Sequence, residues 1–357
     1  VSADITLAPL YGRLPQSEQD AALLPDPLGR RKVILATSIA ETSLTVEGVC
    51  VVVDSGWMRR PVFSPGTGLT RLEMVRVSLA SAKQRAGRAG RLGPGVCYRL
   101  WTEQENRGLE GAATPEILSA DLASLVLELA LWGSLEPEEY LWLDAPPPAA
   151  FAQACELLRQ LGALDAGKKV TGHGRQMAQT GLHPRLAHMI LKAIPMKMGR
   201  LACQLAVLLS QRDIAPRQAE ADLTLRLDWL GFHRPDNGKG IERVLQEVKH
   251  LEAMFSLQEE TETAGSPGLL VALAYPDRIG QNKGGGRFVL RSGRGVTLAK
   301  GQPLALEPFI AVAHLDNKGA DGRIFLAAPL PEEELYHAFE QEISEEEMTF
   351  WDQDAQR

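Results

Sequence analysis

The chain has few cysteines and no long apolar segment. Its four cysteines among 357 residues are widely scattered and lie in apolar contexts: Cys50, Cys97, Cys155 and Cys203. Since their spacing fits neither a disulfide framework nor a metal site, we expect buried thiols in a reducing compartment. No run approaches the roughly eighteen apolar residues of a membrane span, and the N-terminus lacks a basic-then-apolar signal layout. These absences favour a soluble protein in the cytoplasm.

Positive charge is in deficit overall, but it is not evenly distributed. The net charge is −7 at pH 7, yet residues 30–107 hold thirteen Lys and Arg against six Asp and Glu. Residues 332–357 hold ten acidic residues and one basic residue. The basic region suits binding to a phosphate backbone, which should weaken steeply with salt. The acidic end is typical of a solvated helix or a frayed terminus.

Length and composition indicate several globular domains. With 45% hydrophobic and 23% charged residues the composition is ordinary, and 357 residues suggest two to four domains. His173, His183 and His188 are too irregularly placed to suggest a metal site, so none is expected.

Residues 84–91, with the sequence QRAGRAGR, form the most informative segment. Arg88 and Arg91 lie three residues apart, so both side chains would project from one face if the segment opened a helix. A guanidinium presents a planar fork of donors and stays charged at any relevant pH, which suits neutralising a transferring γ-phosphoryl group. For an isolated R-x-x-R, a solvated basic helix start would be the better interpretation. The complete eight-residue sequence is a far more specific signal for phosphate binding than an isolated R-x-x-R.

A second segment, residues 36–45 with the sequence ATSIAETSLT, lies between the apolar runs 33–35 and 49–53. This pattern predicts a buried strand, a polar turn with a helix start, and another buried strand. It is the arrangement of a parallel α/β sheet. Small hydroxyl residues after the carboxyl end of a strand can hydrogen-bond phosphates, although Thr and Ser also favour an ordinary helix N-cap.

Together these two segments resemble motifs V and VI in the second RecA-like domain of the DEAH-box helicases of superfamily 2. Residues 11–15, YGRLP, followed by Gln19, resemble a segment upstream of motif V in the same family. The order and spacing match those of the family. The resemblance implies that Gln84, Arg88 and Arg91 face the β- and γ-phosphates of ATP.

The resemblance also implies roles for the second segment. Thr37 would touch a nucleic-acid phosphate, whereas Ser43 and Thr45 would sense the nucleotide state between two domains. Glu47 stands where the family usually has Asp. The carboxylate on the nucleotide side is kept, but the longer Glu side chain places it further from the backbone than Asp would.

The chain lacks the other half of the nucleotide site that the resemblance implies. No segment matches the phosphate-binding loop G-x-x-x-x-G-K-[ST], and no Asp-Glu-Ala-His or similar magnesium-binding string occurs. In the family both belong to the first RecA-like domain, and ATP with Mg²⁺ lies in the cleft between the two domains. We therefore expect the C-terminal part of a longer enzyme, with that first domain as its partner and without ATP hydrolysis on its own.

Residues 56–77 alternate between polar and apolar around the sequence PGTG at 65–68, which predicts a β-hairpin. The family places a hairpin here beside the nucleic-acid strand, so Arg59, Arg60 and Arg71 are candidate contacts. An equal alternative is that these arginines solubilise an exposed ribbon.

The resemblance further implies a multi-domain order of α/β, α and β parts. Residues 1–107 would form the second RecA-like domain, a parallel α/β domain. We expect a winged helix at residues 108–175, a ratchet-like helical bundle at 176–263 and an OB-like β-barrel at 264–330. Residues 331–357 would be an acidic segment that starts a further C-terminal domain.

Short strands divided by glycine turns between residues 274 and 295 predict the small β-barrel. Their sequences resemble the bacterial HrpB-type branch of the family. Arginines on an open face of such a barrel would hold single-stranded nucleic acid, and the alternative is that they are turn and surface residues. The candidates are Arg278, Arg287, Arg291 and Arg294.

The sequence thus predicts the C-terminal part of an ATP-dependent RNA helicase or translocase that supplies arginine fingers and nucleic-acid-binding surfaces. Its partner would be single-stranded nucleic acid, with RNA favoured over DNA. The alternative is a nucleic-acid-binding or partner-regulated scaffold with the motor fold and no productive turnover. Because phosphate contacts do not distinguish the sugars, a DNA translocase also stays open.

Overall fold

The computed structural model divides the chain into two compact units. The first comprises Val1–Ser64, Thr70–Ala120 and Leu143–Ala145, and the second comprises Pro65–Leu69, Asp121–Trp142 and Pro146–Arg357. No helix among the described residues is long and apolar enough to cross a membrane. The structure describes residues 5–11, 14, 16–41, 46–64, 69–91, 93–210, 220–231, 239–257, 265–316 and 321–344.

The first unit alternates strands and helices around parallel strand pairs. β1 pairs with β2 and β3 pairs with β6, in both cases parallel. The predicted parallel α/β arrangement is therefore confirmed for these pairs. In chain order the elements are β1 (Ile5–Leu10), α1 (Gln16–Leu23), β2 (Arg31–Ala36), a 3₁₀ turn (Ser38–Glu41), β3 (Val51–Asp54), β4 (Trp57–Ser64), β5 (Leu69–Arg76), α2 (Leu79–Ala89), β6 (Val96–Arg99) and α3 (Glu103–Arg107).

One face of each parallel pair is apolar and exposed. Leu35 of β2 is 58% exposed and Val53 of β3 is 63% exposed. The register places Val53 beside Tyr98 of β6, which is also exposed, so exposed apolar side chains adjoin across the pair. The prediction that these strands are buried is wrong for this face. Parallel sheets are normally covered on both faces, and no described residue covers this one.

The second unit begins with three helices: α4 (Ala123–Trp132), α5 (Pro148–Gln160) and α6 (Gly172–Gln179). α4 ends at Gly133, whose φ of 119° no other residue adopts readily. Thr171 caps α6, because its hydroxyl accepts a hydrogen bond from the Gly174 amide. An isolated antiparallel bridge between Leu164 and Val170 lies between α5 and α6.

A helical region follows, and its core is shared with residues of the barrel strands. Met189, Met198 and Cys203 are fully buried there. The first helix of this region starts at Pro184, and the His183 ring caps it by accepting a hydrogen bond from the Arg185 amide at 3.3 Å. The helices are α7 (Pro184–Ala193), α8 (Gly199–Ser210), α9 (Thr224–Gly231), α10 (Lys239–Met254) and α11 (Pro267–Ala274).

The thiols differ in exposure more than the sequence predicts. Cys203 is fully buried, as expected, whereas Cys97 and Cys155 are half-buried. Cys50 is exposed, so the prediction of a buried thiol is wrong there. Cys50 lies just before β3 and the uncovered apolar face, which explains why an apolar sequence context did not lead to burial.

Five strands close into a small barrel in the order β10-β11-β9-β8-β7. Phe288, Val296 and Ile310 fill its core with no exposed surface, and the predicted β-barrel is confirmed. Gly268 of α11 lies so close to the carbonyl of Pro329 that an added Cβ would stand 1.9 Å from that oxygen. The strands are β7 (Ile279–Asn282), β8 (Arg287–Leu290), β9 (Gly295–Thr297), β10 (Phe309–Leu315) and β11 (Gly322–Pro329), followed by α12 (Glu332–Phe339).

Two histidines meet between α6 and α7. The Nε2 atom of His173 lies 2.9 Å from the Nδ1 atom of His188, so at least one ring donates while the other accepts. Burial, followed by the charges of His173 and Lys192, lowers the pKa of His188 to about 3. The unfolded chain therefore takes up a proton near pH 6.5 that the folded chain takes up only near pH 3.

We expect the folded chain to lose stability as the pH falls through this window. A group that binds one proton more in the unfolded state lowers the free energy of unfolding by about 1.4 kcal/mol per pH unit. Urea unfolding between pH 7 and pH 4 should show a shallower pH dependence for His188→Gln than for the parent chain. His250→Gln, at an exposed position on α10, is the matched control. Equal slopes for the parent and His188→Gln would contradict the assignment.

Candidate functional site

Helix α2 holds most of the QRAGRAGR segment. Its N-cap is Ser78, whose hydroxyl accepts a hydrogen bond from the Ser81 amide at 3.1 Å, and the helix ends at Gly90. The segment therefore fills the last turns of the helix, and the expectation that it opens a helix is wrong. The helix begins earlier because Ser78 is a strong N-cap. Any anion bound by this segment would meet guanidinium groups and not the helix N-terminus.

The three predicted phosphate-facing residues follow one another along α2 and just beyond it. Gln84 is exposed and Arg88 is half-buried on the helix, one turn apart. Arg91 is exposed and lies past the helix end. Arg88 also donates a hydrogen bond from its Nη2 atom to the backbone carbonyl of Glu41. The structure thus gives an accessible set of amide and guanidinium donors, anchored at one point to the turn after β2.

Arg85 is the member of the segment that sequence reasoning missed. Its Nε atom donates to the Glu41 carboxylate at 2.6 Å, and its Nη1 atom donates to Asp54 at 2.9 Å. Burial by itself would lower the pKa of Arg85, but the hydrogen bonds to Asp54 and Glu41 outweigh it and raise the pKa. The available signal was Asp54, which ends an apolar run. A carboxylate buried there needs a cationic partner.

The turn after β2 holds the predicted nucleic-acid contact. Thr37 is exposed, and its amide donates to the carbonyl of Leu10 at 3.1 Å, which fixes it at the carboxyl end of the β1–β2 pair. Ser43 and Thr45 lie outside the described residues. Glu47 is exposed in a turn before β3. Thr37 and Glu41 therefore belong to one short polar turn that α2 contacts.

The predicted hairpin is confirmed, since β4 pairs with β5, while its turn at 65–68 lies outside the described residues. Arg59 is exposed and Arg60 is half-buried. The side chain of Arg71, on β5, lies outside the described residues. At the base of the hairpin, the Arg76 guanidinium lies 4.9 Å from the ring centre of Trp57. This cation–π contact joins the last residue of β5 to the first residue of β4.

Comparison with known proteins finds helicases. The family described as Helicase conserved C-terminal domain matches residues 2–93. The ATP-dependent RNA helicase HrpB of Escherichia coli is 38% identical over all of this chain, which covers 42% of that protein. A crystal structure of the E. coli DExH-box NTPase HrpB superposes with a TM-score of 0.78 at 35% identity, over 100% of this chain and 43% of that one.

The chain belongs to the DEAH-box helicases. It is of the HrpB-like branch and corresponds to the C-terminal portion. A splicing relative, the pre-mRNA-splicing factor ATP-dependent RNA helicase prp22 of Schizosaccharomyces pombe, is 36% identical over only 61% of this chain and 19% of its own length. The chain spans less than half the length of the curated relatives that it matches.

The barrel of this DEAH-box chain does not place its four candidate arginines alike. Arg278 is only 5% exposed, and its Nη1 atom donates to the carbonyl of Ala313 at 2.9 Å. Its expected position on an open face is therefore wrong. The 3₁₀ turn Pro276–Arg278, ahead of β7, directs this side chain into the interior, where it lies 4.5 Å from the Tyr275 ring centre.

The other three barrel arginines are accessible to different degrees. Arg287 is exposed and pairs with Asp321 at 2.9 Å. Arg291 is exposed and pairs with Glu342, which follows α12, at 2.8 Å. Arg294 is half-buried. Nucleic acid that used Arg287 or Arg291 would have to compete with a carboxylate already in place, which weakens the case for a basic binding face.

The described residues provide cationic donors but no metal site. Within them, no group of three or more His, Cys, Asp and Glu side chains is arranged to hold a metal ion.

Proposed function

We propose that this chain is the C-terminal part of an ATP-dependent RNA helicase or translocase. The observation that supports it most directly is the contact between Arg88 of α2 and the backbone of the Glu41 turn. It joins the helix with the candidate phosphate-facing residues to the turn that holds Thr37. A nucleotide-driven machine needs such a link between its two ligands.

ATP with Mg²⁺ is the cofactor that this proposal implies, and the residues present fit one side of it. Gln84 and Arg91 are exposed and Arg88 is partly so, and guanidinium forks bind phosphate oxygens bidentately. The group would supply the scissile phosphate bond. The side chains of Arg88 and Arg91 would orient the terminal phosphate and neutralise charge that develops on it. The phosphate loop and the Mg²⁺ ligands are proposed to belong to the first RecA-like domain.

Thr37 and the hairpin are proposed to contact single-stranded RNA. Thr37 is exposed at the carboxyl end of a strand, where hydroxyl and amide donors can reach a phosphate. Arg59 is exposed on β4 and can add a backbone contact. Contacts of this kind read the phosphate backbone, so they favour translocation along any sequence and should weaken with salt.

The uncovered apolar face supports a further part of the same polypeptide as the partner. Leu35, Val53 and Tyr98 expose more than half of their surface, on strands of a type that is normally covered on both sides. Related proteins are more than twice as long as this chain. We propose that the portion that includes the first RecA-like domain buries this face in the intact enzyme.

ATP turnover by the chain joined to the upstream domains tests the proposal. We expect turnover that rises when single-stranded RNA is added, and no turnover by this chain alone. Absence of turnover with every nucleic acid tried would favour the scaffold alternative. Equal stimulation by DNA would favour a translocase that does not read the sugar.

A further inference from the structure

We propose that Gly95 is a positioning residue that sets where Arg91 meets the terminal phosphate of ATP. The inference rests on the proposed function and adds to it a residue that would itself contact neither ATP nor RNA. Gly95 lies just before β6, at the far end of the loop that carries Arg91. Its role would be to hold the two ends of that loop together.

Gly95 lies directly against the last residue of α2. A Cβ atom built on Gly95 would stand 2.1 Å from the carbonyl oxygen of Ala89 and 2.4 Å from the carbonyl carbon. Both are backbone atoms, which cannot turn aside as the end of a long side chain can. The φ of Gly95 lies outside the left-handed region, so its backbone conformation also suits other residues. Only the close approach to Ala89 therefore requires glycine at this position.

The contact closes the loop between α2 and β6. The helix is capped at Gly90, and β6 is fixed from its first residue, because the Val96 amide donates to the carbonyl of Cys50 at 2.9 Å. Arg91 lies between these two points and is exposed. No described residue holds its side chain by a hydrogen bond or an ion pair. The position of Arg91 therefore depends on where the two loop ends are held.

The two candidate phosphate-facing arginines are thus fixed in different ways. Arg88 is held directly, through its hydrogen bond to the carbonyl of Glu41, whereas Arg91 is held only through the loop. Since a carbon atom stays about 3.3 Å or more from a carbonyl oxygen, a methyl group on Gly95 would separate the loop ends by about 1 Å. A misplacement of that size can lower the rate of a catalysed reaction by roughly 10²-fold.

The first test is the binding of a phosphoryl-transfer analogue to the intact enzyme. We would measure the Kd of ADP and of ADP–aluminium fluoride by displacement of a fluorescent ADP. Gly95→Ala should bind the analogue at least about tenfold more weakly than the parent, yet bind ADP within about twofold of it, because only the analogue occupies the position that Arg91 faces. Gly93→Ala is the matched control, since the same methyl group in the same loop meets no described atom within 4 Å. It should keep both parent Kd values.

The second test is a double-mutant cycle on ATP turnover at saturating RNA. Gly95→Ala should lose roughly 10²-fold in kcat, with KM within about twofold of the parent value. In an Arg91→Ala background the same substitution should lower kcat by less than about twofold, because the side chain that it positions is already absent. A glycine with a merely structural role would cause equal losses in the two backgrounds.

The outcomes separate the inference from the function on which it rests. A parent enzyme without turnover would refute the proposed function itself, and the role of Gly95 with it. An active parent with equal losses in the cycle, or with parent-like binding of the analogue by Gly95→Ala, would refute only the role of Gly95. If Gly95→Ala does not fold, insertion of a glycine after Gly93 decides, since it loosens the loop without touching the contact with Ala89. That variant should also bind the analogue more weakly, and parent-like binding would overturn the inference.

Discussion

Replacing Arg88 with alanine is expected to lower the kcat of the intact enzyme by roughly 10³-fold, the lower end of what an arginine finger contributes to phosphoryl transfer. Arg88 is partly accessible on the last turns of α2 and is held in place by the carbonyl of Glu41. A guanidinium in that position is pre-organised before phosphate charge develops, which is why its removal should affect kcat more than KM. Steady-state ATP turnover at saturating RNA measures the effect.

Two further variants make the Arg88 result specific. Arg88→Lys keeps one positive charge but loses the planar fork, so it should recover only part of the lost turnover. Lys83→Ala removes a charge from an exposed position of the same helix and should leave kcat unchanged. Normal turnover by Arg88→Ala would contradict the assignment of Arg88 as an arginine finger. An equal loss of turnover in Lys83→Ala would indicate a general effect of helix charge.

Replacing Asp277 with alanine is expected to lower the free energy of unfolding by about 3 kcal/mol, because removal of this half-buried carboxylate leaves two buried guanidiniums uncompensated. The Asp277 carboxylate accepts two bonds from Arg185, at 2.6 and 3.2 Å, and lies 3.6 Å from Arg278. Burial alone would raise the pKa of Asp277, yet the charges of Arg185 and Arg278 outweigh it and lower the pKa. Urea unfolding of the chain measures the loss.

The arginines beside Asp277 explain why the loss should be large. Arg185 and Arg278 are each 5% exposed, and their guanidiniums lie 5.0 and 4.5 Å from the ring centre of Tyr275. Burial, together with the like charge of Arg185, lowers the pKa of Arg278 to about 10, so Arg278 stays charged at neutral pH. Without Asp277, two like charges would share one buried site.

The pair of Arg287 and Asp321 provides a matched control for Asp277, because the two carboxylates are similarly exposed while Arg287 is exposed and Arg185 is buried. Its geometry is similar, with the Arg287 Nε atom 2.9 Å from the Asp321 carboxylate, but its guanidinium is exposed to water. Asp321→Ala should therefore leave the urea midpoint almost unchanged. Comparable losses in the two variants would show that burial does not determine how much the Asp277 contacts stabilise the fold.

Features with local causes were predictable from the sequence. The hairpin followed from alternation around a Pro-Gly turn, and the barrel followed from short strands between glycine turns. The family followed from motif order and spacing. Each of these depends on neighbours within a few residues, whose preferences the sequence displays directly.

Local patterns also misled where a neighbour in space was decisive. The apolar run that contains Val53 predicted a buried strand, but Val53 is exposed because no described residue covers that face. The QRAGRAGR segment suggested a helix start, but Ser78 begins the helix one and a half turns earlier. Arg278 was predicted to lie on an open face of the barrel, but it is buried against Tyr275.

By itself, the sequence determined which chemical groups this part of the protein supplies: the arginines of α2 and the hydroxyls after β2. Only the tertiary structure decided which of those charges are paired. Arg85 meets Glu41 across 44 residues of sequence, and Arg185 meets Asp277 across 92. Such pairs form because the fold removes both groups from water at one place, and no local pattern records where distant segments meet.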